Sequence, residues 1–227
     1  MDRKVLERVF DKPTLMAILS LFNKGIFREF GSPVADGKEA RVFTARNDEE
    51  LIVKIYKVET SAFETLKEYI RGDPRFWNIG SNRRSIIKAW VKKEFGNLRR
   101  LYEAGVSCPK PYAFANNIVV MQFIGKDIPA PQIKDVELES PEETLWAIAD
   151  DLKKAYGIAK IVHADISEYN ILFWEGKHYI IDVGQAVDIR HPMSEEYLKR
   201  DVKNLCRFFS KWTKVKPAAI LKHIKTK

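Results

Sequence analysis

Residues Ile161 to Gln185 read IVHADISEYNILFWEGKHYIIDVGQ. Trp174-Glu175-Gly176-Lys177 has the glycine and polar content of a short turn. Asn170-Ile171-Leu172-Phe173 before it and His178-Tyr179-Ile180-Ile181 after it are rich in β-branched and aromatic residues. The pattern predicts an antiparallel hairpin. Folding one strand back on the other sets Asn170 opposite Ile181, hence beside Asp182, with Asp165 in the loop just before. An amide and a carboxylate offer hard oxygens to a divalent cation, and a second carboxylate stands beside them. Such a set suits a cation carried by a phosphate ligand, so the segment implies phosphoryl chemistry.

Upstream of this hairpin, Ser140-Pro141-Glu142-Glu143 predicts an N-cap, a proline at the first helical position and a capping-box glutamate, starting a helix that runs to Tyr156. Gly125 to Glu139 reads as a proline-containing linker, and Phe114 to Phe123 as a second hairpin around Asn116-Asn117. A helix is expected from about Ser85 to Ala104, stopped by Gly105. Thr60 to Asn82 is mixed, broken by Gly72, Pro74 and Gly80. Short strands are expected at Arg41 to Ala45 and Leu51 to Tyr56, and a helix at Pro13 to Lys24. Downstream, a helix from Ser194 to about Trp212 precedes a short basic tail. A strand-rich half with one long helix is thus followed by a mainly helical half. This order predicts an α+β architecture of two lobes hinged near Gly125, with a cleft between them as the natural place for a ligand.

The 227 residues suffice for a sizeable core, and no apolar run reaches the ~20 residues of a membrane span. Asp2, Arg3, Lys4 and Glu7 do not make a signal peptide, and Cys108 and Cys206 belong to no metal-spaced cluster. A reducing, cytoplasmic setting is expected, with no membrane partner. The formal charge is +8, with basic residues gathered from Arg83 to Arg100 and from Lys199 to Lys227. Two readings stand open: solvated helix faces, or a patch that meets a polyanion.

Lys54 interrupts an apolar strand, on the face it shares with Ile52 and Tyr56. Glu94 lies within the helical stripe Ile87, Trp90, Glu94, Leu98, Leu101. A carboxylate on an apolar face demands a partner, and Lys54 is the cation expected to meet it; the alternatives are the rim or a local lysine or arginine. Gly31 to Ala40 (GSPVADGKEA) holds Ser32, Gly37 and Lys38, which suit a phosphate but equally a surface turn. Asp165 and Asn170 have the H-x-D-x-x-x-x-N spacing of a kinase catalytic loop, and Asp182 heads Asp182-Val183-Gly184. In that arrangement Asp165 orients or accepts the proton of the attacking hydroxyl. Asn170 and Asp182 hold Mg²⁺, and Lys54 neutralises the phosphates. His163 reads as a hydrogen-bonded core residue. The segment Met121-Gln122-Phe123-Ile124 offers backbone groups to an adenine edge, with Met121 as pocket wall, as core, or as both.

With those residues in view, the chain resembles the RIO-type atypical serine/threonine protein kinases, and within them the first, Rio-one subfamily. The resemblance is carried by GKEA (37–40), VKIYK (53–57), RGDPRF (71–76), KEFGNLRRL (93–101), CPKP (108–111), HADISEYNILF (163–173) and IIDVGQAV (180–187). The second subfamily places a winged helix ahead of its kinase domain, for which too few residues precede Gly31. The resemblance implies a trimmed bilobal protein-kinase-like fold forming one kinase domain over residues 1–227. The expected N-lobe runs to about 124, the linker over about 125–139 and the C-lobe over about 140–227, and no Ala-Pro-Glu motif is found. It also implies ATP with Mg²⁺, or Mn²⁺ in its place, serine autophosphorylation, ATPase activity, and a phospho-aspartate on the residue matching Asp182. The partners it implies are a pre-40S or 30S ribosomal particle with its RNA and proteins, in small-subunit maturation, and protein serine substrates, including the chain itself. Asp201 either buttresses the catalytic loop or is a surface acid. The family's serine after Asp-Val is Gly184 here, which leaves the metal-binding carboxylate in place while adding backbone freedom.

Two other classes stay open. One is a nucleotide-gated module for pre-ribosomal RNA or protein. The other is a small-molecule phosphotransferase of the aminoglycoside or choline kind.

Overall fold

Five strands form one antiparallel sheet: β1 (Glu29–Asp36), β2 (Ala40–Arg46), β3 (Glu50–Tyr56), β4 (Pro111–Ala115) and β5 (Ile118–Gln122), in the order β1-β2-β3-β5-β4. The computed structural model describes residues 9–58, 66, 69–70, 73, 75, 80 and 82–226. Most of the mixed stretch from Thr60 to Asn82, including Ser81 and most of RGDPRF, lies outside them. The chain divides into two compact units. The first comprises Met1–Gly96 with Lys110–Phe123, the second Asn97–Pro109 with Ile124–Lys227.

The first unit is built on strand alternation. Leu51, Val53 and Ile55 of β3 join Ile118 and Val120 of β5 in a core with helix α1 (Lys12–Asn23), which buries Ala17, Ile18 and Leu21 there. Successive side chains of a strand point to opposite faces, so Lys54 and Tyr56 are turned the other way. There Tyr56 and Val119 pack with Ile86, Ile87, Trp90 and Val91 of helix α2 (Arg83–Glu103). Each helix start has a side-chain cap: Asp11 Oδ1 accepts the Thr14 N–H at 3.0 Å, and Asn82 Oδ1 accepts the Ser85 N–H at 2.9 Å.

In the second unit, the segment expected as a linker forms a small hairpin, β6 (Gly125–Lys126) and β7 (Ile128–Pro129), and a single 3₁₀ turn at Ile133–Asp135. Ala130, Ile133 and Leu138 are buried, which is why a proline-containing stretch becomes ordered. Helix α3 (Pro141–Gly157) follows, with Ser140 at its N-cap. The capping box does not form: Ser140 makes no side-chain cap, and the Thr144 N–H goes to its carbonyl at 3.0 Å. β8 (Ile161–Val162) pairs with β11 (Val187–Asp188), and β9 (Ile171–Trp174) with β10 (Lys177–Ile180). The β9–β10 turn is only Glu175-Gly176, at φ 49° and 74°. Both residues are left-handed, as a two-residue type I′ hairpin loop requires. Helix α4 (Ser194–Phe209) ends before Trp212. The expected basic tail instead contains helix α5 (Pro217–Lys225), which buries Ile220 and Ile224 and packs on α3 and α4. Its lysines point to charge, whereas the apolar pair one turn apart decides the fold. Cys108 and Cys206 are free thiols and buried. Among the described residues, no helix is long and apolar enough to cross a membrane.

Gly31 has a structural reason to be glycine. A Cβ there would stand 2.1 Å from Thr44 Oγ1 and 3.1 Å from the Thr44 carbonyl oxygen, where irregular pairing draws β1 against β2. Gly31→Ala is therefore expected to lower stability by about 1–3 kcal/mol, and a second change, Thr44→Ala, to recover part of the loss. Urea denaturation of the single and double variants checks this; an unchanged midpoint in Gly31→Ala would contradict the close approach.

Candidate active site

In the first unit, the predicted ion pair forms. Lys54 Nζ lies 2.8 Å from Glu94 Oε1, with the lysine side chain 14% exposed and the glutamate 2%. Tyr56 donates its hydroxyl to the other carboxylate oxygen, so each oxygen of the buried carboxylate has a donor. Lys54 Nζ also lies 5.1 Å from the Tyr56 ring centroid. Tyr56 was legible as Lys54's neighbour on the strand face, but its role as a second donor was not. Lys93, the residue before Glu94, is fully buried beside the rings of Trp90 and Tyr69, at 5.3 and 5.9 Å. Burial pushes its amine down to about 7, against the opposing pull of the Asp73 carboxylate. Asp73 is itself held low by Arg75, which overcomes the effect of burial with bonds of 2.6 and 2.8 Å.

The expected phosphate segment is a turn. The Gly37 N–H goes to the Ala40 carbonyl at 2.9 Å, and the Gly37 carbonyl accepts Lys57 Nζ at 2.7 Å. Ser32 is exposed on β1 and Lys38 on the β1–β2 turn. Met121 is half-buried against the α2-side core. Of the following residues, the Gln122 N–H is used by the Lys110 carbonyl (2.8 Å) and the Phe123 N–H by the Glu50 carbonyl (3.2 Å). The Ile124 carbonyl accepts the Ala130 N–H at 2.8 Å, while its own N–H has no backbone acceptor among the described residues.

The second unit holds the loop from His163 to Asn170. Ala164 is left-handed at φ 67°, an unfavourable geometry for a residue with a Cβ. It is fixed from three directions. Asp201 Oδ2 accepts the Ala164 N–H at 2.7 Å and Asp201 Oδ1 accepts the Ile166 N–H at 3.0 Å, while Arg200 donates to the Ala164 carbonyl. Asp201 is therefore the buttress, not a surface acid: it is 1% exposed. Burial pushes its carboxyl up to about 6, against the pull of His163, the two amides and Arg200. His163 Nδ1 accepts the Asp165 N–H at 3.3 Å, so its Nε2 carries the proton toward the Ile181 carbonyl at 3.0 Å. His163 is a hydrogen-bonded brace, as expected.

Asp165 and Asn170 meet directly. The Asn170 amide donates to the Asp165 carbonyl at 2.8 Å and to its Oδ2 at 3.0 Å. These two donations assign the amide orientation and leave Oδ1 without a hydrogen-bond partner among the described residues. The Ile181 N–H bonds the Asn170 carbonyl at 3.0 Å, so the hairpin register carries Asp182 to the place beside Asn170. Burial pushes Asp165 above the usual carboxylate range; Asp182 adds to this, while His163 and Asn170 oppose it. Asp182 is left-handed at φ 58°, a conformation that aspartate tolerates better than most residues. Asn97, fully buried, donates to the Val183 and Ala186 carbonyls, both at 2.9 Å, and so fixes the chain just after Asp182. Neither Asn97 nor Arg200 was found from the sequence, because backbone carbonyl partners leave no spacing pattern.

The donor set fits a hard divalent cation that brings further oxygens on its phosphates. It offers one amide oxygen and one carboxylate, and the described residues contain no group of three or more acidic, histidine or cysteine ligands.

A family model described as RIO domain matches residues 41–220. The chain is 41% identical over 209 residues to the RIO-type serine/threonine-protein kinase Rio1 of Haloferax volcanii, covering 91% of this chain and 72% of that protein. It is 43% identical to Rio1 of Methanocaldococcus jannaschii, covering 92% and 72%, and 39% identical to the human serine/threonine-protein kinase RIO1, covering 92% and 38%. The crystal structure of the Rio2 kinase-ADP/Mg²⁺-phosphoaspartate complex from Chaetomium thermophilum superposes with a TM-score of 0.72 at 22% identity, covering 95% of this chain and 67% of that one. The fold is that of a protein kinase in its trimmed RIO form. The chain belongs to the RIO family, alongside relatives that carry the Rio1 name.

Asp201→Asn removes one acceptor and leaves an amide of Ala164 or Ile166 without its partner, at an expected cost of about 1–3 kcal/mol. A carboxyl whose folded pKa is raised adds stability below its unfolded pKa of ~4 and loses that contribution as pH rises through about 6. The gap in melting temperature between wild type and Asp201→Asn should therefore be wider near pH ~4 than near pH ~7. A gap independent of pH would contradict a buried, raised carboxyl.

Proposed function

We propose that the chain is an ATP- and Mg²⁺-dependent serine/threonine kinase of the Rio1 type, with residues 1–227 acting as one kinase domain. The observation that carries the reading is the Asp165–Asn170 pair, in which the carboxylate fixes the amide and the amide oxygen has no hydrogen-bond partner among the described residues. The names of the curated relatives support the protein-kinase class.

In this reading Asn170 Oδ1 and the Asp182 carboxylate hold Mg²⁺, with Mn²⁺ as a substitute of the same oxygen preference. Held by those two residues, the cation would supply positive charge to offset that of the phosphates. Lys54, kept in place by Glu94 and Tyr56, contributes a fixed positive charge to the nucleotide phosphates. Ser32, Gly37 and Lys38 line the phosphate side. Gln122, Phe123 and Ile124 border the adenine next to Met121, with the Ile124 N–H as the available donor. Asp165 orients the attacking hydroxyl and takes its proton as the new oxygen–phosphorus bond forms and ADP leaves. Because phosphoryl transfer needs positioning more than a strong base, the Asp201 clamp on Ala164 and Ile166 matters as much as the basicity of Asp165.

The phosphate has three chemically distinct ends: a serine, including one of the chain's own; the Asp182 carboxylate, as an acyl phosphate; or water, in an ATPase. The phosphoaspartate of the Chaetomium thermophilum Rio2 complex supports the second. A cytoplasmic role in small-ribosomal-subunit maturation, on a pre-40S or 30S particle, rests on the family resemblance. A second reading, a nucleotide-gated module for pre-ribosomal RNA, draws support from one feature of the first unit. Exposed Lys88 and Lys92 border a cavity of about 500 Å³ with the exposed ring of Phe114, a combination that suits a phosphodiester with a stacking base.

Asp165→Asn is expected to lower turnover by about 10²–10⁴-fold while nucleotide binding survives, and Asp182→Ala to weaken Mg²⁺-dependent ATP binding. Stopped assays with fluorescent nucleotide titration separate the two effects; wild-type turnover in both variants would refute the assignment. A single-turnover reaction with ATP labelled on the γ-phosphate identifies the acceptor. Acid-stable label on serine, acid-labile label lost in Asp182→Asn, or label only in free phosphate are the three outcomes. RNA binding that falls steeply with salt, is weakened in Lys88→Ala/Lys92→Ala and is unchanged in Asp165→Asn would establish the second reading.

A further inference from the structure

The segment VKIYK (53–57) carries two lysines, and only the first belongs to the buried pair with Glu94. The second, Lys57, follows the last residue of β3 and turns to the loop between β1 and β2, inside the same unit. It reaches that loop at three places. Its Nζ lies 2.6 Å from Asp36 Oδ1 and donates to the Gly37 carbonyl at 2.7 Å. Its own N–H goes to the Glu39 carbonyl at 2.8 Å, one step beyond the terminal pair of Ala40 with Tyr56. The hydrogen bond from Lys57 also holds the Asp36 carboxyl below the usual carboxylate range, and Arg41 adds to it.

Fold stability does not explain this arrangement. The Lys57 side chain is 30% exposed and that of Asp36 56%, and an ion pair so open to water adds little to folding. Asp36 also has a second cation, since Arg41 Nε stands 3.3 Å from its Oδ2. What Lys57 alone supplies is the donor to the Gly37 carbonyl. Glycine leaves its two peptide planes loosely restrained, so they must be fixed from outside. Here both are fixed: the Gly37 N–H goes to the Ala40 carbonyl at 2.9 Å, and the Gly37 carbonyl goes to Lys57. The peptide is trans, so the Lys38 N–H on that second plane points away from Lys57.

We propose that Lys57 is a positioning residue for the nucleotide phosphates: it sets the Gly37–Lys38 peptide plane so that the Lys38 N–H meets them. The inference rests on the reading of Gly37 and Lys38 as the phosphate side. Lys57 touches no nucleotide in this scheme and acts only through the turn. Lys54 lies three residues earlier, so the cation and the backbone donor are held to one strand and keep a common register. Catalysis and binding are sensitive to such registration, because a displacement of about 1 Å in a positioning group is costly.

The test titrates the full chain with ATP and with adenosine in a calorimeter, in the presence of Mg²⁺. Lys57→Met keeps the aliphatic stem and removes the donors. It is expected to weaken ATP binding by about tenfold and to leave adenosine, which has no phosphate, unaffected. Lys57→Arg restores donors to both oxygens and should recover most of the ATP affinity. Arg41→Met loses the same charge beside the same carboxylate but spares the Gly37 carbonyl, so it should bind ATP as wild type does. Equal losses in Lys57→Met and Arg41→Met would mean diffuse attraction and overturn the role. A parallel loss of adenosine affinity in Lys57→Met would do the same, by exposing a general loss of structure. Lys54→Met separates the clamp from the reading beneath it. ATP affinity lost in Lys54→Met but kept in Lys57→Met refutes the clamp alone, whereas ATP affinity indifferent to both refutes the phosphate site itself.

Discussion

A single carboxylate, Asp201, holds the loop from His163 to Asn170 in a shape that the loop would not keep by itself. Ala164 stands in the left-handed region, where a Cβ costs about 1–2 kcal/mol. The two oxygens of Asp201 accept the amides on either side of Asp165, and Arg200 takes the intervening carbonyl. Three bonds from one turn of α4 thus fix both peptide planes that flank Asp165. His163 adds a fourth restraint by joining the Asp165 amide to the Ile181 carbonyl just before Asp182. The loop and the chain just before Asp182 are thus tied together by neutral and charged hydrogen bonds.

The first unit solves a different problem, the burial of charge in an apolar layer. Glu94 is nearly without solvent, and Lys54 and Tyr56 each satisfy one of its carboxylate oxygens. Both donors come from alternate positions of one strand, so sheet register sets the pair geometry and the lysine is pre-positioned. Lys93 on the neighbouring helix position shows the contrasting outcome: between aromatic rings, burial depresses the amine toward neutrality. Two adjacent residues of one helix thereby meet opposite electrostatic fates, separated by which face of the helix each occupies.

Much of this was legible in the sequence, for identifiable reasons. The hairpin from Asn170 to Ile181 was readable because β-branched and aromatic runs flank a Glu-Gly turn whose two residues adopt the left-handed geometry. The Lys54–Glu94 pair was readable because each residue violates the apolar pattern of its own element. Asp201 remained ambiguous, since a carboxylate that binds backbone amides has no partner side chain to betray it. Arg200 and Asn97 were invisible for the same reason. Helix α5 was missed because its lysines and histidine outweighed Ile220 and Ile224, and the Ser140 cap was overread because the motif letters do not fix the rotamer. The glycine segment was read as suiting a phosphate or a surface turn; its letters did not reveal that Gly31 stands close to Thr44 or that the Gly37 N–H bonds within its own turn.

The two buried cysteines have a practical consequence. Burial, with the Asp151 carboxylate adding to it, pushes the Cys108 thiol up to about 12, and burial also raises Cys206. Thiolate, not thiol, is the attacking form, so both sulfurs are chemically quiet at neutral pH. The folded chain is therefore expected to react slowly with alkylating reagents and mild oxidants. Any label captured by either sulfur reports local opening of the second unit, which makes the native cysteines built-in probes of its breathing.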